Sequence, residues 1–357
     1  MTVSTVIIAE AGVNHNGNLK MALELVDRAA EAGADYVKFQ TFKATNLAST
    51  SAKKAKYQNL TTDSAESQLA MLERLELSLE NHEAIIKRCN DKGVRFLSTP
   101  FDLDSLSLLT STFGLTEIKL GSGELTNAPL LFAAGRTGAK VILSTGMGSL
   151  SEVEEALGVL AFAICRVGQP SGRSDFSEVL LDPRVWPILA ERVTLLHCTT
   201  EYPAAVEDTN LHTMETLRRA FGLKVGYSDH TMGSAISLAA VALGACTLEK
   251  HFTLDRSLPG PDHKASVEPE ELTRLIQNIR AVECALGNGI KQPCAAEAAN
   301  RSVIRKSLLA ARNLSKGHKL TLDDIVIKRP GDGISPMELW DVVGTLMTRA
   351  VGEGEPL

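Results

Sequence analysis

The chain has 357 residues, 44% hydrophobic and 22% charged, with a formal net charge of −6. That balance belongs to an ordinary globular protein and excludes disordered and fibrous classes, while the length accommodates one large domain plus a small one. The negative balance also excludes a global positive field for nucleic acid or an anionic membrane, so any anionic ligand must be held by local lysines and arginines.

The amino terminus, Met-Thr-Val-Ser, lacks the basic region of a signal peptide, and no apolar run approaches the roughly 18 residues of a membrane span. The cysteines at 89, 165, 198, 246, 284 and 294 show no C-x-x-C pairing. A soluble, cytoplasmic protein with reduced thiols is therefore expected.

In chain order, short β-rich runs alternate with helical patterns. The runs are Val6–Gly12, Tyr36–Phe42, Arg95–Phe101, Glu117–Ser122, Lys140–Gly146, Val193–Thr200, Lys224–His230 and Cys246–Phe252. Between them lie amphipathic stretches such as Leu19–Ala32, Leu79–Lys92 and Ser151–Val167, with Gly33, Gly93 and Gly168 placed as helix C-caps. Eight strand–helix units predict an α/β fold, the (β/α)8 TIM barrel. A nucleotide-binding doubly wound sheet would open with a G-x-G-x-x-G turn, which is absent after the first run.

Two connections are long. Lys43–Ser78 follows a strand and so belongs to the active face, where it reads as a lid. Gln169–Pro187 follows a helix and reads as a tolerated surface insertion on the opposite face. After the helix Glu268–Leu286, Gly-Asn-Gly-Ile-Lys-Gln-Pro breaks the pattern. The expected organisation is a barrel over 1–288, a linker over 289–299 and a small domain over 300–357, with β-like pieces at Ser307–Ala311 and Ile325–Lys328.

In a barrel the chemistry sits at the C-terminal strand ends. There the runs close on Glu10, on Lys38 with Gln40, on Thr99, on Lys119 with Ser122 and Glu124, on Ser144, on Thr200 with Tyr202, on Ser228 with His230, and on Lys250 with His251. Singly each is an unremarkable loop residue. Together, hydroxyls and lysines converging with Gly121, Gly123 and Gly146 describe a phosphate site, in which glycines admit backbone N–H groups and Lys38 and Lys119 supply charge. His230 and His251 end neighbouring strands. They could be ordinary core or capping histidines, or they could share a metal ion. Two protein ligands are too few for a closed zinc site and suit an exchangeable ion such as Mn²⁺ or Mg²⁺. Such an ion could polarise a carbonyl and activate water, which points to addition of a phosphorylated carbon nucleophile to an aldehyde, or to hydrolysis.

Several segments carry a resemblance: Ile8-Ala-Glu-Ala-Gly-Val-Asn-His-Asn-Gly17, Val37-Lys-Phe-Gln-Thr41, Ser98-Thr-Pro-Phe101, Lys119-Leu-Gly-Ser-Gly-Glu124, Ser144-Thr-Gly-Met147, His197-Cys-Thr-Thr-Glu-Tyr-Pro203, Ser228-Asp-His230, His251-Phe-Thr253 and Pro259-Gly-Pro-Asp262. Over nearly the whole chain they resemble the sialic acid synthase family, and the tail with Lys328-Arg-Pro-Gly331 resembles that family's antifreeze-like domain. The resemblance implies condensation of phosphoenolpyruvate with an open-chain N-acetylated amino-sugar, with phosphate released by C–O cleavage. It implies that His230 and His251 hold a divalent ion, Mn²⁺ first and Mg²⁺ or Co²⁺ otherwise. Lys38, Thr99, Lys119, Ser122, Ser144 and Ser228 match phosphoenolpyruvate-binding positions. Gln40, Glu124, Tyr202 and Asp262 match sugar-side positions. Arg329 matches the arginine that reaches the N-acetyl group from the other subunit of a domain-swapped homodimer. Glu10 matches a catalytic-site glutamate serving proton transfer or sugar orientation.

Thr200 stands where some N-acetylneuraminate synthases carry asparagine. N-acetylmannosamine leads as the expected sugar, with a 6-deoxy diacetamido sugar giving N,N′-diacetyllegionaminate as the alternative. The rivals outside the family chemistry are a metal-independent Schiff-base aldolase using Lys38 or Lys119 and a non-catalytic sugar-binding protein.

Overall fold

The computed structural model describes residues 4–55, 58–59, 62–63 and 66–357. Eight strands form one parallel sheet: β1 (Val6–Gly12), β2 (Tyr36–Thr41), β3 (Arg95–Pro100), β4 (Glu117–Leu120), β5 (Lys140–Ser144), β6 (Val193–Cys198), β7 (Lys224–Asp229) and β8 (Thr247–His251). Their order is β3-β2-β1-β8-β7-β6-β5-β4, and β3 packs beside β4 to close a (β/α)8 barrel. Strands covered on both faces read as nearly continuous apolar runs, and for that reason they were legible in the sequence.

Alternation along each strand divides the barrel interior into levels. Ile8, Leu97, Ile142 and Leu196, with Tyr36, form a buried apolar plug. Two residues further along the same faces come Glu10, Thr99, Ser144, Cys198 and, after Tyr36, Lys38. The plug therefore seals the barrel directly below a polar layer at its C-terminal end.

Helices cover the outside. Leu19–Ala32 starts at the Asn18 side chain and stops at Gly33 in the left-handed region, and Leu79–Lys92 runs likewise from Ser78 to Gly93. The expectation of a cap at Gly168 needs correction, because that helix spans Leu150–Cys165 and ends at an extended Arg166. The Arg136 guanidinium donates to the carbonyls of Arg166 and Gly168 and so draws the chain away from the helix axis.

The connection after that helix, expected as a surface insertion, has structure of its own. It carries the helices Ser174–Val179 and Val185–Arg192 and folds back on Leu150–Cys165, with the Phe176 ring 5.8 Å from that of Phe162. This second cover explains why Leu150–Cys165 is apolar around most of its circumference. The other long connection includes the helices Ala44–Leu47 and Gln68–Leu75. Positions 56, 57, 60, 61, 64 and 65, which fall in the expected lid, lie outside the described residues.

The chain divides into two compact units, Met1–Gly287 and Asn288–Leu357. Residues 295–304, expected to be linker and domain edge, form a helix with the Glu297 carboxylate capping the Cys294 N–H. In the second unit, β9 (Ser307–Ala310) pairs antiparallel with β10 (Ile325–Lys328) over a small core of Ala310, Leu314, Leu320, Met347 and Val351. No helix among the described residues is long and apolar enough to cross a membrane.

A methyl group at Gly158 would lie 2.5 Å from the Phe176 carbonyl oxygen. Gly158→Ala is expected to destabilise the barrel by about 1–3 kcal/mol through overpacking and to speed protease cleavage within 169–187. Urea unfolding and limited proteolysis check this, and wild-type behaviour in both would mean that the segment does not pack as described.

Candidate active site

A cavity of about 310 Å³ opens at the C-terminal end of the barrel. Glu10, Lys38, Gln40, Thr99, Lys119, Ser122, Ser144, Tyr202, Ser228, His230, His251 and Asp262 all line it. A larger groove of about 1150 Å³ lies outside the barrel, between Leu150–Cys165 and the segment folded on it, and its wall contains neither lysine nor histidine. The convergent chemistry is in the smaller cavity.

Its centre is a buried charge cluster. Lys38 Nζ lies 2.8 Å from Glu10 Oε2 and 3.5 Å from Glu249 Oε2, and donates to Thr99 Oγ1 at 3.2 Å. Glu10 Oε2 is buried, and Lys38 is its ion-pair partner. Lys119 Nζ is 3.6 Å from Glu249 Oε1, which also accepts a 2.7 Å hydrogen bond from Ser228 Oγ. Glu249 thus faces both lysines. The expectation from the sequence names the residues closing each run and so omits it. The available signal was its place two residues before His251, on the same face of β8.

Burial works against every one of these charges. For Glu249, Lys119 and Lys38 outweigh burial and hold its carboxyl well below the usual range. Burial raises Glu10 to about 7 against the opposing pull of Lys38, with Glu249 adding to the rise. Lys38 is raised, because Glu10 and Glu249 outweigh its desolvation; Lys119 is lowered by burial, which Glu249 only partly offsets. Burial likewise lifts Asp262 to about 6.

The phosphate-type cradle lies alongside. Ser122 Oγ accepts from the Gly146 N–H at 3.0 Å and lies 3.1 Å from Cys198 Sγ. A side chain at Gly146 would fall 2.3 Å from Thr200 Oγ1 and 2.8 Å from Ser122 Oγ, so only glycine lets these groups converge. Thr200 Oγ1 is buried with no hydrogen-bond partner among the described residues. On the other side, the left-handed turn at Gly12 brings Glu10, Gln40 and Asp262 around one spot.

One expected residue of the barrel lies off the cavity. Glu124 is buried but lies outside the cavity wall, its carboxylate accepting from Asn127 at 2.6 Å. Arg329 is exposed and belongs to the second unit. Lys250, beside His251, turns to the outer face of the sheet and pairs with Asp229 at 2.9 Å.

The two imidazoles suit a divalent cation. Their ring centroids are 5.4 Å apart, and the Tyr202 ring lies 4.2 Å from that of His230. His230 Nδ1 donates to the Thr199 carbonyl at 2.6 Å, which leaves the lone pair on Nε2. His251 Nδ1 is buried and has no hydrogen-bond partner among the described residues, with Asp262 Oδ2 3.9 Å away. Burial lowers His230 to about 4 and His251 well below its ordinary value, keeping both rings in the neutral state that a metal needs. No group of three or more metal-ligating side chains occurs among the described residues, so water and substrate would complete the coordination.

A barrel with lysines, hydroxyls and neutral histidines gathered at its mouth is an enzyme built for an anionic substrate. Residues 25–291 match the NeuB family and 305–357 the SAF domain, and the chain belongs to the NeuB family, whose synthases condense phosphoenolpyruvate with a sugar. It is 49% identical to the N,N′-diacetyllegionaminic acid synthase of Campylobacter jejuni, over 98% of each chain. Identity to the Legionella pneumophila enzyme of the same name is 43%, over 98% of this chain and 92% of that one. Among solved structures, the N-acetylneuraminic acid synthetase of Leptospira borgpetersenii, in complex with citrate, superposes with a TM-score of 0.66 at 32% identity, over 83% of this chain and 90% of that one.

The buried titrating groups set a pH dependence for the metal-free protein. His15, His230 and His263 sit at about 4 and His251 well below its ordinary value, so between about pH 4 and 6.5 these four take up protons on unfolding and favour the fold as pH rises. Glu10 and Asp262, raised to about 7 and about 6, oppose this because the folded state retains protons that the unfolded chain has released. Four groups against two leave stability rising with pH through this window, and His82 and His197, also lowered by burial, add to the rise. Thermal unfolding of chelator-treated protein should therefore show Tm climbing from pH 4.5 to 6.5. A Tm that falls across that window would contradict the burial of neutral histidines.

Proposed function

We propose that this enzyme is a divalent-metal-dependent N,N′-diacetyllegionaminate synthase, which condenses phosphoenolpyruvate with open-chain 2,4-diacetamido-2,4,6-trideoxymannose and releases phosphate by C–O cleavage. The observation that carries the choice of sugar is the apolar wall of the cavity. Leu47, Met71, Leu72 and Leu75 line it together with Val13 and Phe101. A C6 methyl and acetamido methyls can be buried there, whereas a 6-hydroxyl or 6-phosphate would lose water against a wall whose polar groups are the Gln58 and Gln68 amides, with no cation among them. Lys38 and Lys119 are the only cations among the described lining residues, and both lie at the anion cradle. The two full-length relatives at 49% and 43% identity support the same choice. N-acetylmannosamine, favoured from the sequence alone, becomes the second reading, and its support is the 32%-identical Leptospira borgpetersenii structure.

In this reading Lys38 and Lys119 bind the charge of phosphoenolpyruvate, while Thr99, Ser122, Ser144 and Ser228 bond its oxygens. Gln40, Tyr202 and Asp262 orient the sugar, with Glu124 close behind. Glu10, at about 7, can give or take a proton through its carboxylate where the new bond forms. The plug below the polar layer excludes water from beneath. A divalent ion on His230 and His251, Mn²⁺ by preference and Mg²⁺ or Co²⁺ otherwise, supplies a Lewis acid for an aldehyde oxygen and an activated water. Lys38 is held protonated by its two carboxylates and so is a poor Schiff-base nucleophile. All six cysteines are unpaired, which supports a reducing, cytoplasmic setting.

Phosphate release from phosphoenolpyruvate, measured over a panel of amino-sugars with mass spectrometry of the products, tests this reading. The diacetamido trideoxy sugar is expected to exceed N-acetylmannosamine by at least about tenfold in kcat/KM, or 1.4 kcal/mol. The reverse order would restore the second reading. Chelation should abolish turnover and Mn²⁺ restore it, and His230→Ala or His251→Ala should each lower kcat by more than about tenfold. Turnover that survives complete metal removal would dismiss the metal.

We further propose a domain-swapped homodimer in which Arg329 contacts the sugar bound to the partner's barrel. Refolding Arg329→Ala with His230→Ala, each inactive alone, makes about half the dimers mixed by random pairing. Each mixed dimer would then hold one complete site, so about a quarter of wild-type activity should return. Mixed dimers without any recovery would place Arg329 in its own subunit's site.

A further inference from the structure

On the outer face of the sheet, directly behind the histidines, lies an ion pair that the reaction does not touch. Asp229 and Lys250 are 0% and 1% exposed, with Lys250 Nζ 2.9 Å from Asp229 Oδ2. Asp229 also accepts from the Thr231 N–H at 2.8 Å, from Thr231 Oγ1 at 2.7 Å and from Ser237 Oγ. Lys250 Nζ donates its other hydrogen bond to the Thr231 carbonyl at 2.6 Å. Thr231 is therefore gripped at its N–H, its hydroxyl and its C=O by side chains that each precede a histidine in sequence.

The consequence falls on His230. The peptide plane that follows it is held at both ends, because the His230 carbonyl accepts from the Ala204 N–H at 2.9 Å while the Thr231 N–H is taken by Asp229. Ala204 lies two residues after Tyr202, whose ring rests on that of His230. One bonded unit thus fixes the backbone that aims His230 and the loop that carries Tyr202. As a stability element alone such a pair has little to recommend it, since well-packed apolar residues of similar volume usually do as well or better. Its value must lie in geometry.

We infer that Asp229 and Lys250 are positioning residues, a brace from β7 to β8 that sets His230 against His251 for cation binding. This rests on the reading that the two imidazoles hold a divalent ion. The brace needs no contact with ion or substrate. It acts by denying the His230 peptide its alternative orientations.

The double variant Asp229→Asn/Lys250→Met tests the brace, because asparagine keeps an oxygen for Thr231 and a donor for Ser237, methionine keeps the volume, and no charge is left buried alone. We expect a folded protein by circular dichroism, a Kd for Mn²⁺ at least about tenfold weaker by titration of free Mn²⁺, and kcat at saturating Mn²⁺ down at least about tenfold. KM for phosphoenolpyruvate should rise by less than the Kd for Mn²⁺, since Lys38 and Lys119 come from other strands and of its proposed contacts just Ser228 adjoins the brace. A folded double variant with Mn²⁺ affinity and kcat within about twofold of wild type would overturn the brace and leave the metal reading intact. Wild-type protein that binds no Mn²⁺ in the same titration would overturn both. Should the double variant not fold, Thr231→Val, which removes just the hydroxyl bond to Asp229, carries the test: at least about threefold weaker Mn²⁺ binding is expected, and unchanged binding overturns the brace.

Discussion

Two ammonium groups can share the dry mouth of a barrel only if carboxylates lie within reach of both, and the pocket is organised around that requirement. Glu249 stands 3.5 Å from Lys38 Nζ and 3.6 Å from Lys119 Nζ, while Glu10 approaches Lys38 from the other side. An isolated charge in such surroundings would neutralise itself by shifting its pKa. The carboxylates keep Lys38 charged and leave Lys119 closer to neutrality, so the two lysines are not equivalent before any substrate arrives. An anionic substrate entering this cluster competes with carboxylates already in place, which favours a ligand carrying more than one negative charge.

The barrel itself was legible because its strands are buried on both faces and write themselves as apolar runs; β1 and β10 fall on the boundaries expected from the sequence. The helix ends at Gly33 and Gly93 were legible for a different reason, as both glycines sit in the left-handed region. Gly168 shows the limit of that rule: it too has a positive φ, but Arg136, thirty residues away in sequence, had already taken the carbonyls that would have continued the helix. The packing of 174–192 on Leu150–Cys165 was hidden for a similar reason. Apolar pattern states that a face is covered and not by what.

At the site, strand-end reasoning located the residues that close each run, Lys250 with His251 among them, and passed over Glu249 one step earlier. Glu249 and Lys250 show why. Adjacent in sequence, both fully buried and both charged, they face opposite ways: one into the cavity between two lysines, the other into the helix layer against Asp229. Their order along β8 contains that information through the period of two, but only once His251 is known to face inward. Glu124 lies beyond the strand end. Its run ends before it, at Leu120, and the short turn over Ser122–Glu124 sends its carboxylate to Asn127.

The same alternation explains how the enzyme combines a rigid site with a surface open to change. The polar residues of the cavity come chiefly from strand ends, held by the ladder and, at β7 and β8, by the Asp229–Lys250 pair behind it. The apolar wall comes from elsewhere, chiefly the helix Gln68–Leu75 in the long connection after β2. The Arg74 carbonyl of that helix would lie 2.2 Å from a methyl group at Gly17, so the wall docks on the turn after β1 through a contact that only glycine admits. Substitutions along Met71, Leu72 and Leu75 can therefore reshape that wall without disturbing the lysines or histidines. Discrimination between sugars that differ by a methyl, a hydroxyl or an acetamido group amounts to a few kcal/mol of buried surface and unpaired polar atoms. A wall carried on a separate, docked helix can change by that amount while the barrel keeps its chemistry.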